Sequence, residues 1–361
     1  MDFLYMRMPI AGMEVFWPGL VILGFGVGII SAFFGMGGGW MVTPGLNMLG
    51  FPMAFAIGTD ITNMAGNSLI STMRHAKFGN VDYRLGFVMV IGTVSGFEAG
   101  AQMIMWLESL GWVDQFVRIA YLILLSLIAW LVFTDVIQQQ KKEAQAKASG
   151  ASYTEDTGIQ WHKTFHKLKI PPMVHFKTSG ITCSVWLPIM VSFATGWLAG
   201  ILGIGGGLIR MPALIYLIGV PTHVAVGTDL FEVVISALYG CGSYTYKGRT
   251  ELAAAVIMLT GAAIGAQIGA VATKYVRGHG IRLFFGIAVV GCALSIACKV
   301  AAEYLWEART ILDAAAAFLI LGLVVALAGS IVVKFIRGAR EELAAKRASR
   351  NGESIGKGVI K

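Results

Sequence analysis

A few polar residues interrupt an otherwise apolar chain, and their spacing restricts what they can do. Asp60, Asn63 and Asn67 fall at i, i+3 and i+7, one face of a helix, and Thr59 and Ser71 extend that polarity. Further on, Thr228, Asp229, Glu232 and Ser236 repeat the pattern, with Arg210 ahead of them. Carboxylates inside apolar spans are costly and face a cavity or a partner. Two readings stand side by side. Asp60, Asp229 and Glu232 could couple a process to protons, since a carboxyl taken out of water can load and release one. Alternatively they cap broken helices or pair with Arg210. The planar fork of Arg210 suits oxyanions such as sulfonate or carboxylate; its other reading is a structural partner for Asp229 or Glu232, or a side chain reaching an interface. Glu98, among Gly96, Ala99 and Gly100, is a further coupling candidate or a hydrogen-bond partner of a neighbouring helix. Lys299, His75 and His223 read as interfacial.

The stretch that must position these groups is Gly35-Met36-Gly37-Gly38-Gly39-Trp40, which returns as Gly203-Ile204-Gly205-Gly206-Gly207-Leu208. Each glycine costs a helix interior about 1 kcal/mol relative to alanine, so each cluster marks a break. The match continues through Pro44/Pro212, Pro52/Pro221, Gly58-Thr59-Asp60/Gly227-Thr228-Asp229, Gly79/Gly248, Gly96/Gly265 and Gly100/Gly269, at an offset of 168 residues at the glycines and 169 at the aspartates. This is an internal duplication. Val42 stands where the second copy has Arg210, so the two halves are chemically unequal.

Composition sets the class. Apolar residues make up 56% and charged residues 13% of the 361, with mean hydropathy +0.72. Soluble domains carry about 25% charge, so this is a membrane protein. The net charge of +8 gathers in loops and the C-terminal tail, where it sets orientation rather than binding nucleic acid. The four cysteines form no CxxC pair and read as packing residues. No spacing suggests a metal, haem or other cofactor, and no cleavable leader is evident in residues 1–16.

The first apolar run goes from Trp17 to Phe34, breaks, and resumes from Trp40 to Phe51. A second arm this short suits a helical hairpin that dips into the membrane and returns. Spans follow at 53–73, 84–107 and 114–137, then a basic linker with a short helix at 138–148. The second half has a hairpin at 183–202 and 208–219 and spans at 222–245, 252–275, 281–301 and 311–335. The predicted fold is an all-α integral membrane protein of two inverted repeats. Each repeat is a glycine-broken re-entrant helical hairpin plus three transmembrane helices, and one extra span lies at the C-terminus. The units are a first repeat at 1–137, a basic soluble linker at 138–180, a second repeat at 181–302, an extra helix at 303–336 and a basic cytoplasmic tail at 337–361, near anionic lipid. Basic loops placed inside and acidic loops outside agree with this inversion, with Lys247 and Arg249 as exceptions. The competing topology makes each glycine unit one kinked crossing and the repeats parallel.

Irregular backbone at membrane depth lines a cavity or is buried in protein. The arms starting near Trp40 and Leu208 would point their N-termini, with free N–H groups and partial positive charge, at the midplane. Two such ends could hold a small anion without a cationic side chain. The competing reading is that the glycines only permit close helix packing. A nucleotide loop is excluded, since no strand precedes it. No Ser/His pair or HExxH pattern supports an enzyme, and no Walker motif supports built-in ATP drive. A carrier with alternating access and a passive anion channel of the same architecture both fit.

The repeated glycine break, the following proline and the Gly-Thr pair resemble the TauE/SafE sulfite and organosulfonate exporter family, also called the toluene-sulfonate uptake permeases, over residues 17–105 and 190–275. The resemblance implies a multi-pass bacterial inner-membrane secondary transporter, not an enzyme, that exports a small sulfur-containing or organic anion such as sulfite or sulfoacetate. It places substrate near Gly37, Gly38, Gly39, Gly205, Gly206 and Gly207, with Thr59 and Thr228 close by. Trp40, Asn63 and Arg210 complete the expected binding set. Asp60 and Asp229 stand where family members often carry a small residue such as Ser.

Overall fold

Pro18, at the head of the first apolar run, suits a first helical turn, where its missing N–H costs nothing. The computed structural model describes residues 4–110, 113–149, 170–202, 207–276, 278–304 and 309–350, and in it helix α1 spans Trp17–Phe34. It stops at Gly35, whose φ of 83° is left-handed and costs a glycine nothing. After two more left-handed glycines, Gly37 at φ 70° and Gly38 at φ 99°, α2 runs Gly39–Met48. Then come α3 (Met53–Lys77), α4 (Tyr83–Ser109) and α5 (Val113–Ser149). The second half repeats the order: α6 (Trp186–Leu202), α7 (Gly207–Ala213) running on as a π-helical stretch (Leu214–Ile218), α8 (Thr222–Tyr246), α9 (Leu252–Ala272) and α10 (Gly278–Tyr304), followed by the unrepeated α11 (Arg309–Arg350). Six of these helices are long and apolar enough to cross a membrane.

Three features depart from the sequence reading. Residues 138–148 are not a separate helix, because α5 runs unbroken through them to Ser149. Likewise α11 crosses from the apolar 303–336 segment into the basic tail. Two antiparallel ribbons were not foreseen: β1 (Tyr5–Met8) with β2 (Met13–Phe16), and β3 (Met173–Phe176) with β4 (Ile181–Ser184), the latter straddling the expected 180/181 boundary. One ribbon precedes α1 and the other α6, so the duplication includes them. Gly12 N–H bonds Met8 O at 2.9 Å in the first tip, as Gly180 N–H bonds Phe176 O at 2.8 Å in the second.

Glycines fix how the helices run. Gly24 and Gly28 of α1 lie against Met258 and Ala262 of α9, while Gly265 and Gly269 lie against Phe25 and Ile29; α1 and α9 therefore run in the same direction. The counterpart pair does the same, with Gly92, Gly96 and Gly100 of α4 against Ile189, Phe193 and Trp197 of α6. Small residues allow this backbone contact between membrane helices. Helices α3 and α8 run oppositely: Gly58 abuts Arg249, Ile61 abuts Gly240, and Gly227 abuts Asn80. Within the first glycine unit, α2 doubles back along α1, with Gly38 beside Val27, Gly45 beside Leu23 and Leu49 beside Gly19. Phe33, Phe34, Trp40 and Phe285 are fully buried around this unit, and the Phe34 and Phe285 rings meet edge-on at 5.9 Å.

Candidate functional site

The two glycine breaks come together. Gly207, which opens α7, lies against the backbone of Met36 and faces Asp229 Oδ2. Gly37 lies against Met64, Val233 and the Ser68 hydroxyl, and Gly38 against Ser31. A side chain at any of these glycines would collide with its neighbours, so the sequence keeps the turns bare. Gly205 and Gly206, with Gly203 and Ile204, lie outside the described residues. The remaining expected glycines, Gly37, Gly38, Gly39 and Gly207, are buried, and Trp40 is fully buried.

Arg210 is fully buried and ion-paired with both Asp229 and Glu232, themselves fully buried. It also donates to the Thr93 hydroxyl of α4 at 3.0 Å. Of the two sequence readings, the structural partnership is therefore formed. The helical spacing of Asp229 and Glu232 puts both on the face that α7 presents Arg210 to. Thr93 was not foreseen, since a lone threonine in an apolar run carries no signal.

The equivalent place in the first repeat is built differently. Val42 cannot supply a charge. Asp60, fully buried, accepts from the Thr43 hydroxyl through Oδ2 at 2.7 Å. Its Oδ1 has no hydrogen-bond partner among the described residues, and neither does either polar atom of Asn63, one turn along. Asn67 donates to Gly37 O at 3.4 Å and leaves its own Oδ1 without a partner. The Ser31 and Ser68 hydroxyls and the Trp40 indole N–H are likewise buried without partners among the described residues. Such atoms each cost about 1–3 kcal/mol when nothing satisfies them, and here they lie on α1, α2 and α3, with Ser31, Asn67 and Ser68 against the Gly37-Gly38 turn. The set supplies donors from an amide, two hydroxyls, an indole and the first turn of α2. It can hold a small anion.

The other expected residues are placed elsewhere. Thr59 and Thr228 do not turn to the glycine breaks. Their hydroxyls accept the backbone N–H of Glu251 and Asp82, each at 3.0 Å. Glu98 is half-buried on α4 and accepts from Tyr239 at 2.7 Å. Lys299 donates to the Asn47 side chain at 2.8 Å. His75, expected at an interface, is fully buried with its Nε2 3.0 Å from Ala32 O, because α3 carries it into the packing against α1. Among the described residues no cluster of three His, Cys, Asp or Glu side chains could hold a metal.

Comparison with known proteins agrees with this architecture. The model of the sulfite exporter TauE/SafE family matches residues 20–296. The chain is similar to YunE of Bacillus subtilis, described as a probable membrane transporter protein, at 27% identity over 76% of this chain and 96% of YunE. A probable membrane transporter protein of Methanocaldococcus jannaschii is 28% identical over 63% of this chain and 72% of its own length. YdhB of Bacillus subtilis, with the same description, is 23% identical over 70% and 88% respectively. No solved structure matches the chain.

Proposed function

The chain belongs to the sulfite exporter TauE/SafE family and is a multi-pass membrane protein, and on that premise we propose that it is a secondary transporter of a small sulfur-containing or organic anion such as sulfite or sulfoacetate. The observation that carries the reading is the meeting of the glycine breaks, Gly207 against Met36, beside buried donors on Asn63, Trp40, Ser31 and Ser68 that have no partner among the described residues. The anion sits among those donors, at the head of α2. Arg210 does not grip it directly; with Asp229, Glu232 and Thr93 it holds the second break rigid.

The helix directions support an inverted pair of repeats. Starting from α1, its parallel contact with α9, the turn from α9 back to α8, the antiparallel contact with α3 and the turn to α4 make α4 opposite to α1. Helix α6 follows α4, so the two repeats enter in opposite senses. Helix α2 returning along α1 supports a re-entrant hairpin. Alternating access then comes from one repeat rocking against the other around the two breaks. Export as the direction is supported by the family's description, and the relatives described as probable membrane transporter proteins support a cell membrane as the site of action.

Labelled sulfite and sulfoacetate counterflow in proteoliposomes tests this. A carrier accumulates label against unlabelled anion inside, whereas a pore only equilibrates it. Asn63→Ala should weaken counterflow about ten- to hundredfold, the loss of one hydrogen bond to a charged group. No counterflow with either anion, from monodisperse protein, would overturn the assignment.

A further inference from the structure

The two repeats place the same pair of positions, Asp60/Asn63 and Asp229/Glu232, beside the two glycine breaks, but only the second holds a cation against them. There the guanidinium of Arg210 joins both carboxylates. In the first repeat Val42 replaces it, and among the described residues Asp60 keeps one oxygen without a partner and Asn63 both of its polar atoms. Among the described residues no cationic side chain pairs with Asp60. We infer that this place, where the second repeat carries its arginine, is a proton-binding site in which a proton shared between Asp60 Oδ1 and Asn63 is carried together with the transported anion.

The chemistry follows from the donor and acceptor inventory. Thr43 already donates to Asp60 Oδ2 at 2.7 Å. A proton on Oδ1 gives that oxygen a hydrogen to donate, and residues at i and i+3 on a helix face are within reach of one another. Asn63 accepts it through its carbonyl oxygen, which leaves the amide N–H groups turned away from Asp60 and able to donate to an anion. One proton thereby satisfies two buried acceptors and orients the donor that binds substrate. Without it, three carboxylates stand around the breaks against a single guanidinium, and the proton removes one of the two uncompensated negative charges that an entering anion meets.

The other titratable and charged groups around Asp60 each hold a partner through one atom, while Asp229 Oδ2, Glu232 Oε1, Glu251 Oε1 and His75 Nδ1 lack a hydrogen bond among the described residues, as Asp60 Oδ1 does. Across the breaks, Asp229 and Glu232 hold Arg210. At the foot of α9, Glu251 accepts the N–H of Ile10 and Ala11. On α3 itself His75 is bonded to Ala32 O, on α10 Lys299 is bonded to Asn47, and α2 contributes no titratable side chain.

This inference rests on the transporter reading, and two measurements separate the failure of one from the failure of the other. The first needs no substrate: acid-minus-alkaline infrared difference spectra of the purified protein. The expected result is a protonated-carboxyl carbonyl band that vanishes in Asp60→Asn and shifts in frequency, without vanishing, in Asn63→Ala. A band unchanged in Asp60→Asn overturns the proton site whatever the protein carries. Should Asp60→Asn not fold, the shift in Asn63→Ala decides alone, and an unshifted band overturns the site. The second counts protons moved per labelled sulfoacetate in proteoliposomes, an anion whose two acid groups are both ionised near neutral pH. The expected ratio is about one for the parent and zero for whatever flux Asp60→Asn retains, with apparent affinity for sulfoacetate falling up to about tenfold per pH unit as the site empties, by reciprocity of linked binding. A parent ratio of zero, or accumulation that follows a sodium gradient instead, overturns the inference. Absence of counterflow beside an intact Asp60 band overturns the substrate assignment and leaves the proton site standing.

Discussion

The Thr59 hydroxyl accepts the backbone N–H of Glu251 at 3.0 Å. The relation is repeated 169 residues on, where Thr228 accepts from Asp82, also at 3.0 Å. Each Gly-Thr pair is thus a seat for a loop of the opposite repeat. Gly58 lets the Arg249 carbonyl approach, and Gly227 does the same for Asn80. The acid in each seated loop then holds a ribbon tip. Glu251 accepts the N–H of Ile10 and Ala11 at 2.8 and 2.9 Å, and Asp82 accepts the N–H and hydroxyl of Ser179 at 3.0 and 2.9 Å. Two locks of one design tie the repeats together, and the threonines that the family resemblance places near substrate serve in them.

Removing one acceptor should loosen its lock. Thr59→Val keeps the shape of the side chain and leaves the Glu251 N–H buried without a partner, which costs about 1–3 kcal/mol. Thr228→Val should cost a similar amount at Asp82. The sites are far enough apart to act independently, so the double variant should show the sum of the two losses. Thermal unfolding in detergent measures this, and a melting temperature unmoved by either single change would mean that the bonds contribute nothing.

Arg210 offers a sharper contrast. Arg210→Ala strands two buried carboxylates beside each other, and breaking a buried pair costs about 3–5 kcal/mol. Arg210→Lys keeps the charge but not the fork that reaches Asp229, Glu232 and Thr93 together, and should recover only part of the stability. Replacing all three charged residues at once, Arg210→Met with Asp229→Asn and Glu232→Gln, should be milder than Arg210→Ala. Yield of monodisperse protein ranks the variants; a triple change worse than Arg210→Ala would show that the cluster is more than mutual compensation.

Much of this was legible in the chain. The doubled glycine break, the matching prolines and the apolar runs give every membrane-length helix, because bilayer thickness and the cost of glycine act locally. The polar face of Asp60, Asn63 and Asn67 was legible for the same reason, since helical spacing alone aligns it. The ribbons were not. Strands of four residues carry little periodicity, and what steadies them is a carboxylate 97 residues away for Ser179 and 240 or more for Ala11 and Ile10. The similar spacing of Gly12 and Gly180, five and six residues ahead of Trp17 and Trp186, was the available clue. Nor could the sequence choose between an anion contact and an ion pair for Arg210, because that depends on which way α7 turns toward α8.

The parallel helix seams predict a steric outcome with its own internal control. In α9 a side chain at Gly265 would strike the Phe25 carbonyl of α1, and in α4 a side chain at Gly96 would strike that of Phe193 in α6. Gly265→Val and Gly96→Val should therefore both abolish properly folded protein, since neither backbone can yield without separating the seam. Gly242, in α8, has open space where its side chain would be. Gly242→Ala should be neutral or stabilising by up to about 1 kcal/mol. Size-exclusion profiles after solubilisation would compare the three, and a normal profile for either valine variant would refute the close seam.

Inversion of the repeats makes the most consequential prediction. The turns that close the two glycine units should face opposite sides of the membrane. Gly50 and Gly219 themselves are poor places for a probe, because both have left-handed φ, 98° and 85°, which a cysteine adopts only with strain. The prolines that follow, Pro52 and Pro221, are exposed and cap α3 and α8 with nearly the same backbone geometry, φ −55° in each, so cysteine fits there. In intact cells of a cysteine-free background, an impermeant maleimide should label only one of Pro52→Cys and Pro221→Cys, the other reacting after the membrane is opened. With an inverted pair, α2 and α7 return to opposite faces and the labelling must split. Labelling of both from the same side would mean parallel repeats, and alternating access could no longer arise from exchanging the roles of two inverted halves.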